Sequence, residues 1–219
     1  DSPNDVAIES LRNLQTALHF GTIGVKNNCI MITGPSPGVG KSFVSINLAA
    51  VLTGNGKKVL LIDGDMRRGH LHRYLGVERE NGLSDFIGGE VPIGDVLRRA
   101  TIPDLTFVSS GRLPPNPPEL LLHQRFNNCL SVLTPRYDHI IIDSPPILAA
   151  TDAAIIGQMA GATLMVIKSG EHPMREIDQS VKRLKRAGVN LRGLVLNDIL
   201  HNKRYGVGKY AYQYMYEST

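Results

Sequence analysis

The segment Gly34-Pro-Ser-Pro-Gly-Val-Gly-Lys-Ser42 follows an apolar run, Cys29–Thr33, and opens a helical stretch. Its glycines allow backbone N–H groups to point inward around phosphate oxygens, and the helix start adds partial positive charge. In such a loop Lys41 reaches the β- and γ-phosphates and the Ser42 hydroxyl is a ligand of Mg²⁺. The sequence therefore predicts a loop that binds Mg-ATP, with Lys41 facing solvent and nucleotide contacts from Gly38, Val39, Gly40, Lys41, Ser42 and Phe43.

The loop departs from the strict phosphate-binding pattern, whose first glycine would fall on Pro35. The competing interpretation is an ordinary Gly-Pro turn in front of a helix. The combination of strand, loop, Lys-Ser pair and helix favours the phosphate-binding interpretation.

Short apolar runs alternate with longer amphipathic stretches along the rest of the chain. The predicted strands are Cys29–Thr33, Lys58–Asp63, Leu105–Ser109, His139–Asp143, Thr163–Lys168 and Arg192–Asn197. The predicted helices are Lys41–Leu52, Pro117–Leu133, Thr151–Met159 and Pro173–Ala187. Strands that are almost continuously Val, Ile and Leu are typical of a sheet covered on both faces. We expect an α/β fold with a doubly wound, mostly parallel sheet of the P-loop NTPase type and helices on both faces.

Carboxylates follow two of the predicted strands. Asp63 and Asp65 come at the end of Leu60-Leu61-Ile62-Asp63-Gly64-Asp65, and Asp143 ends Ile140-Ile141-Ile142-Asp143. Because ligands bind at the carboxyl ends of parallel strands, these groups are candidates to hold Mg²⁺ and to orient or deprotonate a nucleophile. The predicted metal set is Ser42, Asp65 and Asp143, and the alternative for Asp63 and Asp65 is a helix cap or a turn.

Asn197 ends the last predicted strand. Its amide is a candidate contact for the nucleotide base. A turn residue at a strand end explains it equally well.

The two ends of the chain differ from the middle. At the N-terminus, Ser2, Pro3 and Asp5 are typical of a helix start, and apolar residues then repeat at helical spacing. This helix could pack on the sheet or bind a neighbour. The C-terminal end holds five of the seven tyrosines, Tyr205, Tyr210, Tyr212, Tyr214 and Tyr216. We predict one domain over residues 1–200 and a flexible tyrosine-rich tail over 201–219, although strand-like alternation is the other interpretation.

Composition narrows the classes of function. The net charge is only +4 and the basic residues are dispersed, which argues against nucleic acid as a partner. No apolar run approaches the ~20 residues of a membrane span, and no signal peptide is apparent. Cys29 and Cys129 lie in apolar contexts and are expected to be reduced.

Taken together, these motifs resemble the bacterial tyrosine kinases of capsule and exopolysaccharide assembly. The resemblance rests on the phosphate-binding loop with Pro37, on Leu60-Leu-Ile-Asp-Gly-Asp-Met-Arg67, on Ile141-Ile-Asp-Ser-Pro-Pro146, on Leu113-Pro-Pro-Asn-Pro-Pro-Glu-Leu-Leu121 and on the terminal tyrosines. It implies transfer of the ATP γ-phosphoryl group to tyrosines of a neighbouring subunit, with Lys41, Asp63 and Asp65 as catalytic residues and Asp63 taking the tyrosine proton. The implied substrates are the tail tyrosines.

The same resemblance implies partners and a location. They are a ring-like homo-oligomer, a transmembrane part of the parent chain or a membrane activator, a tyrosine phosphatase and further protein substrates. The domain would be cytoplasmic, at the inner face of the cell membrane. Subunit contacts in this family use Glu-x-x-Arg-x-x-Arg in the first helix, which here is Glu9, Arg12 and Gln15.

The second hypothesis comes from a different class of protein. Partition and division-site-selection ATPases share the three motifs, hydrolyse ATP slowly and dimerise on it. Their loop carries a signature lysine five residues before the position of Lys41, where this chain has Ser36. The missing lysine and the tyrosine tail favour the kinase.

Overall fold

One mixed sheet organises the molecule. The computed structural model describes residues 6–198, with side chains from residue 8 onward. In that part of the chain seven strands follow the order β3-β4-β2-β5-β1-β6-β7, parallel except for β3. They are β1 Cys29–Thr33, β2 Val59–Asp63, β3 Arg98–Arg99, β4 Leu105–Val108, β5 His139–Asp143, β6 Ala162–Lys168 and β7 Leu191–Asn197.

Helices connect the strands and cover both faces of the sheet. They are α1 Val6–Gly21, α2 Lys41–Gly54, α3 Leu71–Leu75, α4 Leu83–Gly88, α5 Ile93–Val96, α6 Pro117–Leu122, α7 Gln124–Leu133, α8 Asp152–Met159 and α9 Met174–Arg186. One buried cluster joins Leu18 of α1 and Leu48 of α2 to one face. The other joins Phe126 of α7, Ile156 of α8 and Leu184 of α9 to the opposite face. The predicted doubly wound α/β fold is confirmed.

The predicted helix over Pro117–Leu133 is wrong in one respect, because it is two helices. His123 separates α6 from α7 with extended backbone angles, φ −65° and ψ 138°. Its ring nitrogen Nδ1 accepts a hydrogen bond from the Arg125 N–H at 3.2 Å, so the imidazole caps α7. The break thus comes from a side-chain cap that apolar periodicity does not reveal.

Four short elements were not predicted: α3, α4, α5 and the antiparallel strand β3. Each contains six residues or fewer, which is too short to show a period. Strand β3 consists of two arginines, a composition that does not indicate a strand.

Several expectations concern residues outside 6–198. The proposed helix start at Ser2, Pro3 and Asp5, the domain boundary at residue 200 and the tail tyrosines stay predictions. Within the described part Cys29 and Cys129 are buried free thiols, as expected, and burial raises the pKa of each to about 12. No helix there is long and apolar enough to cross a membrane.

We predict that Phe107→Ala in β4 lowers the unfolding free energy by about 3–5 kcal/mol, because the Phe107 side chain is fully buried and its removal leaves a cavity. Urea denaturation is the measurement. The matched control is Leu122→Ala, which shortens a side chain that is 64% exposed and should change stability by about 0.5 kcal/mol or less. Equal losses in the two variants would contradict the assigned core.

Candidate nucleotide-binding and catalytic site

The loop after β1 has a path that glycine alone accommodates. Gly40 has φ +91°, and a Cβ there would collide with the amide nitrogen of Asn197. At Gly34 a Cβ would lie 2.6 Å from Val39 Cγ2 and 2.8 Å from the Val166 carbonyl oxygen. The loop therefore packs closely against Val166 of β6 and against Asn197 at the end of β7 before it enters α2, and its backbone N–H groups are the candidate phosphate donors.

Lys41 is the first residue of α2 and is only 9% exposed, so the expectation of a solvent-facing lysine is wrong. Burial lowers its pKa from the ordinary value, while the nearby carboxylates Asp143 and Asp65 act in the opposite direction. The lysine is buried because the start of α2 packs beside the end of β5. It is thus a buried cation beside two acidic groups.

Asp143, at the end of β5, accepts two hydroxyl hydrogen bonds from α2. Ser42 Oγ donates to Asp143 Oδ2 at 2.7 Å and Ser45 Oγ donates to Asp143 Oδ1 at 3.0 Å. Burial raises the pKa of Asp143, and the two hydroxyls and Lys41 partly offset that rise. Ser45 was missed by sequence reasoning. Its position one helical turn after Ser42, on the same face of α2, was the available signal.

Asp63 ends β2 and lies in register with Asp143 on the adjacent strand. It is fully buried, and its two oxygens accept the N–H of Leu71 at 3.1 Å and of Asp65 at 3.3 Å. Burial, followed by the charge of Asp143, raises its pKa well above the ordinary value, and the two backbone N–H groups act against that rise. Asp63 therefore supports the start of α3, as the alternative interpretation expected. It also places a second carboxyl beside Asp143.

Asp65 holds the loop that leaves β2. Its Oδ1 accepts the N–H of Arg67 at 3.1 Å and of Arg68 at 2.9 Å, which is the hydrogen bonding of a turn residue. Its charge also acts on Lys41, Asp63 and Asp143. Asp65 thus combines the turn role with proximity to the site.

An ion pair that sequence reasoning missed fixes the same loop from the other side. Arg67 forms a two-pronged contact with Asp152, with Nε–Oδ2 at 3.0 Å and Nη2–Oδ1 at 3.3 Å. Asp152 is fully buried at the start of α8. Because a buried carboxylate needs its cation, this pair ties the Asp65 loop firmly to α8.

Asn197, at the end of β7, donates from Nδ2 to the Val39 carbonyl oxygen at 3.1 Å. It therefore anchors the phosphate-binding loop, a contact that sequence reasoning did not foresee. Its proposed contact with the nucleotide base stays a prediction. Phe43, the last residue of the predicted nucleotide set, is exposed on α2.

Glu9 and Arg12 lie far from this group, on α1. Both are exposed, and Arg12 Nη1 lies 3.5 Å from Glu9 Oε2. In this chain they therefore pair with each other, one helical turn apart. Their role in subunit contacts stays a prediction.

The donor set suits magnesium held jointly with phosphates. Among residues 6–198, no three or more His, Cys, Asp or Glu side chains are grouped as a metal site. Mg²⁺ is usually bound by one or two protein oxygens together with substrate phosphates and waters, rather than by an all-protein cage. The adjacent oxygens of Ser42 and Asp143, at the end of the loop that precedes α2, fit that mode of binding.

A family model and several relatives named as tyrosine-protein kinases match this chain. The AAA domain family model (AAA_31) matches residues 27–192. A putative tyrosine-protein kinase EpsB of Ralstonia nicotianae is 46% identical over 98% of this chain, and the tyrosine-protein kinase wzc of Salmonella typhimurium is 43% identical over 97%. This chain spans 29% and 30% of the length of those two relatives.

Solved structures of tyrosine kinase domains have a similar fold. The kinase domain of Escherichia coli tyrosine kinase ETK superposes with a TM-score of 0.89 at 40% identity, covering 92% of this chain and 79% of that one. The BceF tyrosine kinase domain gives a TM-score of 0.82 at 48% identity, covering 89% and 78%. The septum site-determining protein MinD of Pyrococcus horikoshii, solved with Mg-ADP, gives a TM-score of 0.66 at 25% identity, covering 77% and 69%.

We predict that Asp63→Asn becomes increasingly more stable than the parent chain as pH rises above about 4. The raised pKa means that folded Asp63 holds its proton at pH values where the unfolded carboxyl, with a pKa of about 3.9, has lost it. The contribution of Asp63 to folding stability therefore falls with pH from the unfolded pKa up to the folded one, by at most about 1.4 kcal/mol per pH unit.

The measurement is urea denaturation of both proteins across that range without nucleotide. Asp178→Asn, which removes an exposed carboxyl on α9, is the matched control for loss of one charge. A stability difference between Asp63→Asn and the parent that stays constant with pH would show that Asp63 does not hold a proton in the folded chain.

Proposed function

This chain belongs to the bacterial tyrosine-protein kinases and carries their AAA domain, and from that membership we propose that it transfers the γ-phosphoryl group of ATP to tyrosine. The observation that carries the proposal is that residues at the carboxyl ends of three neighbouring strands lie close together. Lys41 and Ser42 follow β1, Asp63 ends β2 and Asp143 ends β5, with β5 hydrogen-bonded between β1 and β2.

Phosphoryl transfer depends mainly on positioning and charge neutralisation, and these residues supply both. The loop from Gly38 to Ser42 cradles the phosphates through its N–H groups, and Phe43 begins the flanking helical wall. Lys41 lies close to the carboxylates of Asp143 and Asp65, which hold its ammonium group in position to contact the β- and γ-phosphates. Ser42, Asp65 and Asp143 would hold Mg²⁺, some of them through water, and the bound ion would supply positive charge to neutralise the charge that develops on the γ-phosphate.

Asp63 is proposed as the group that takes the tyrosine proton. A free tyrosine has a pKa of about 10, so its hydroxyl needs a base at neutral pH. Burial and the charge of Asp143 raise the pKa of Asp63, which makes it a stronger base than an exposed aspartate. As the tyrosine oxygen forms its bond to phosphorus and the bond to the β-phosphate oxygen breaks, the phenol proton passes to an Asp63 oxygen.

The proposed substrates are the tail tyrosines of a neighbouring subunit. One relative, named as a putative tyrosine-protein kinase in a cps region, and the family resemblance support a role in capsule or exopolysaccharide synthesis and export. We further propose a ring-like homo-oligomer, a membrane-spanning part of the parent chain or a membrane activator, and a tyrosine phosphatase that reverses the reaction. The domain would then act on the cytoplasmic side of the cell membrane.

Assembly is proposed to involve α1. Glu9 and Arg12 are exposed and already adjacent, so each could exchange its present partner for an opposite charge on the next subunit. Gln15 is uncharged, so it cannot form an ion pair with the next subunit. Its side-chain oxygen accepts a hydrogen bond from Asn55 at 2.6 Å, which links α1 to the end of α2. We therefore propose a weaker contact than a three-charge helix would make.

A nucleotide-switched positioning ATPase is the second candidate, favoured by the similarity to MinD. It would use the same loop and carboxylates but pass the phosphoryl group to water. Intact mass after incubation with Mg-ATP separates the two functions, because only the kinase gains phosphate mass. ADP formation without added mass would support the switch.

We predict that Lys41→Met lowers phosphate gain by about a hundredfold or more, since the loss of one charge contact to a transition state costs several kcal/mol. Methionine has a similar length and suits a buried position, but it removes one of the groups that compensate Asp143, so a thermal melt is measured alongside to establish that the variant is folded. Lys182→Met, on the exposed face of α9, is the matched control and should retain full activity. A Lys41→Met chain that folds and still gains phosphate normally would contradict the phosphate contact.

We also predict that transfer occurs between chains. A Lys41→Met chain, which keeps its tyrosines, is mixed with an active chain in which Tyr205, Tyr210, Tyr212, Tyr214 and Tyr216 are all replaced by Phe. The inactive chain should gain phosphate at a rate that rises with total protein concentration. No phosphate on the inactive chain, while the parent protein modifies itself, would show that each chain acts on its own tail.

A further inference from the structure

The outer edge of β7 is open in the described part of the chain. Strand β7 pairs with β6 on one side, and no further strand lies beyond it within residues 6–198. The Ser169 N–H donates to the Asn197 carbonyl, so the backbone of Asn197 points toward β6. Since backbone direction alternates along a strand, Leu196 and Leu194 direct their N–H and C=O groups outward. Unpaired edge groups of this kind readily accept another strand.

The same two leucines expose apolar side chains. Leu194 is 50% and Leu196 49% exposed, and both extend from the face of the sheet that carries α8 and α9, since they lie in register with Met165 and Ile167. Exposure alternates along β7, with Arg192 and Asp198 as the next exposed residues on either side. The edge therefore combines free hydrogen-bonding groups with a row of four partly exposed side chains at a spacing of two residues.

The sequence that follows β7 repeats the same spacing. Residues 199–219 lie outside the described part of the structure, and they place tyrosines at 210, 212, 214 and 216. Asp198 has φ +53°, the left-handed conformation in which a chain commonly turns at the end of a strand. The eleven residues 199–209 include Gly206 and Gly208, which suits a reversal of chain direction.

We propose that the chain's own segment 210–216 docks antiparallel on the open edge of β7 as an eighth strand. One register places a tyrosine opposite each exposed residue of β7: Leu196 with Tyr212, Leu194 with Tyr214 and Arg192 with Tyr216. The same register brings Tyr210 beside Asp198, the residue that follows β7. Aromatic side chains opposite leucine are favourable cross-strand pairs, and a guanidinium stacks well on a tyrosine ring. The docked strand would cover the two leucines and satisfy the free backbone groups.

Docking is incompatible with phosphorylation of Tyr210, Tyr212 or Tyr214 in this arrangement, whereas Tyr216 faces the guanidinium of Arg192. A phosphate adds about −1.5 to −2 charges at neutral pH, and on Tyr212 or Tyr214 it would lie over leucine with no cation opposite. On Tyr210 it would face the carboxylate of Asp198. The docked state thus holds unmodified tyrosines away from a neighbour's site, and a segment modified at Tyr210, Tyr212 or Tyr214 stays free. This regulatory meaning rests on the proposed kinase function, whereas the docking itself does not.

Hydrogen exchange of the Leu194 and Leu196 amides in the full chain tests the docking. The Lys41→Met background without ATP keeps all tyrosines unmodified, so the result does not depend on whether the chain is a kinase. In the Lys41→Met chain both amides should exchange at least about tenfold more slowly than in the same chain carrying Tyr212→Ser and Tyr214→Ser. The double serine variant loses the side chains that hold the docked strand. The matched control is Tyr205→Ser, which changes a tyrosine in the connecting segment and should leave exchange unchanged.

Protection that is independent of protein concentration supports docking within one chain. Equal exchange in the parent and in the double serine variant would overturn the proposal. Protection that grows with concentration would overturn it as well, because it would identify the edge as a contact between two copies.

Discussion

Two carboxyl groups buried side by side are the constraint on which this site depends. Asp63 and Asp143 end adjacent parallel strands in register, and both have raised pKa values because little water reaches them. An arrangement of this kind is costly unless other groups compensate it. The compensation is local: two α2 hydroxyls and Lys41 for Asp143, and backbone N–H groups for Asp63. The fold thereby keeps two carboxyl groups together at the strand ends beside the loop that precedes α2.

The topology explains why such distant segments meet. Strand β1 carries the phosphate-binding loop and lies between β5 and β6, while β5 lies between β1 and β2. In a parallel sheet the carboxyl ends of these neighbours face the same edge, so residues far apart in sequence converge without any long excursion of the chain. The Arg67–Asp152 pair and the Asn197–Val39 contact then hold the two loops in place, each from an element outside that central group. Positioning of the site is thus shared by β7 and α8.

Sequence patterns were sufficient to predict the features that have a clear hydrophobic periodicity or a recognisable motif. The six apolar strands, the loop before α2 and the acidic strand ends were all predictable because burial on both faces leaves continuous apolar runs. Contacts that depend on tertiary packing were not predictable. The burial of Lys41 requires knowing that α2 packs beside β5, and the partner of Arg67 is 85 residues away along the chain. His123 breaks a helix through its side chain, which a count of apolar residues cannot detect.

The amide contact between Asn197 and Val39 has a mechanical consequence. Asn197 is the last residue of β7, so everything beyond it is tethered at a point that touches the phosphate-binding loop. A pull on the C-terminal segment would be transmitted first to that amide and then to the Val39 carbonyl, within two residues of Lys41. Tension on the chain beyond Asn197 would thus act on the loop that precedes α2 through a single hydrogen bond.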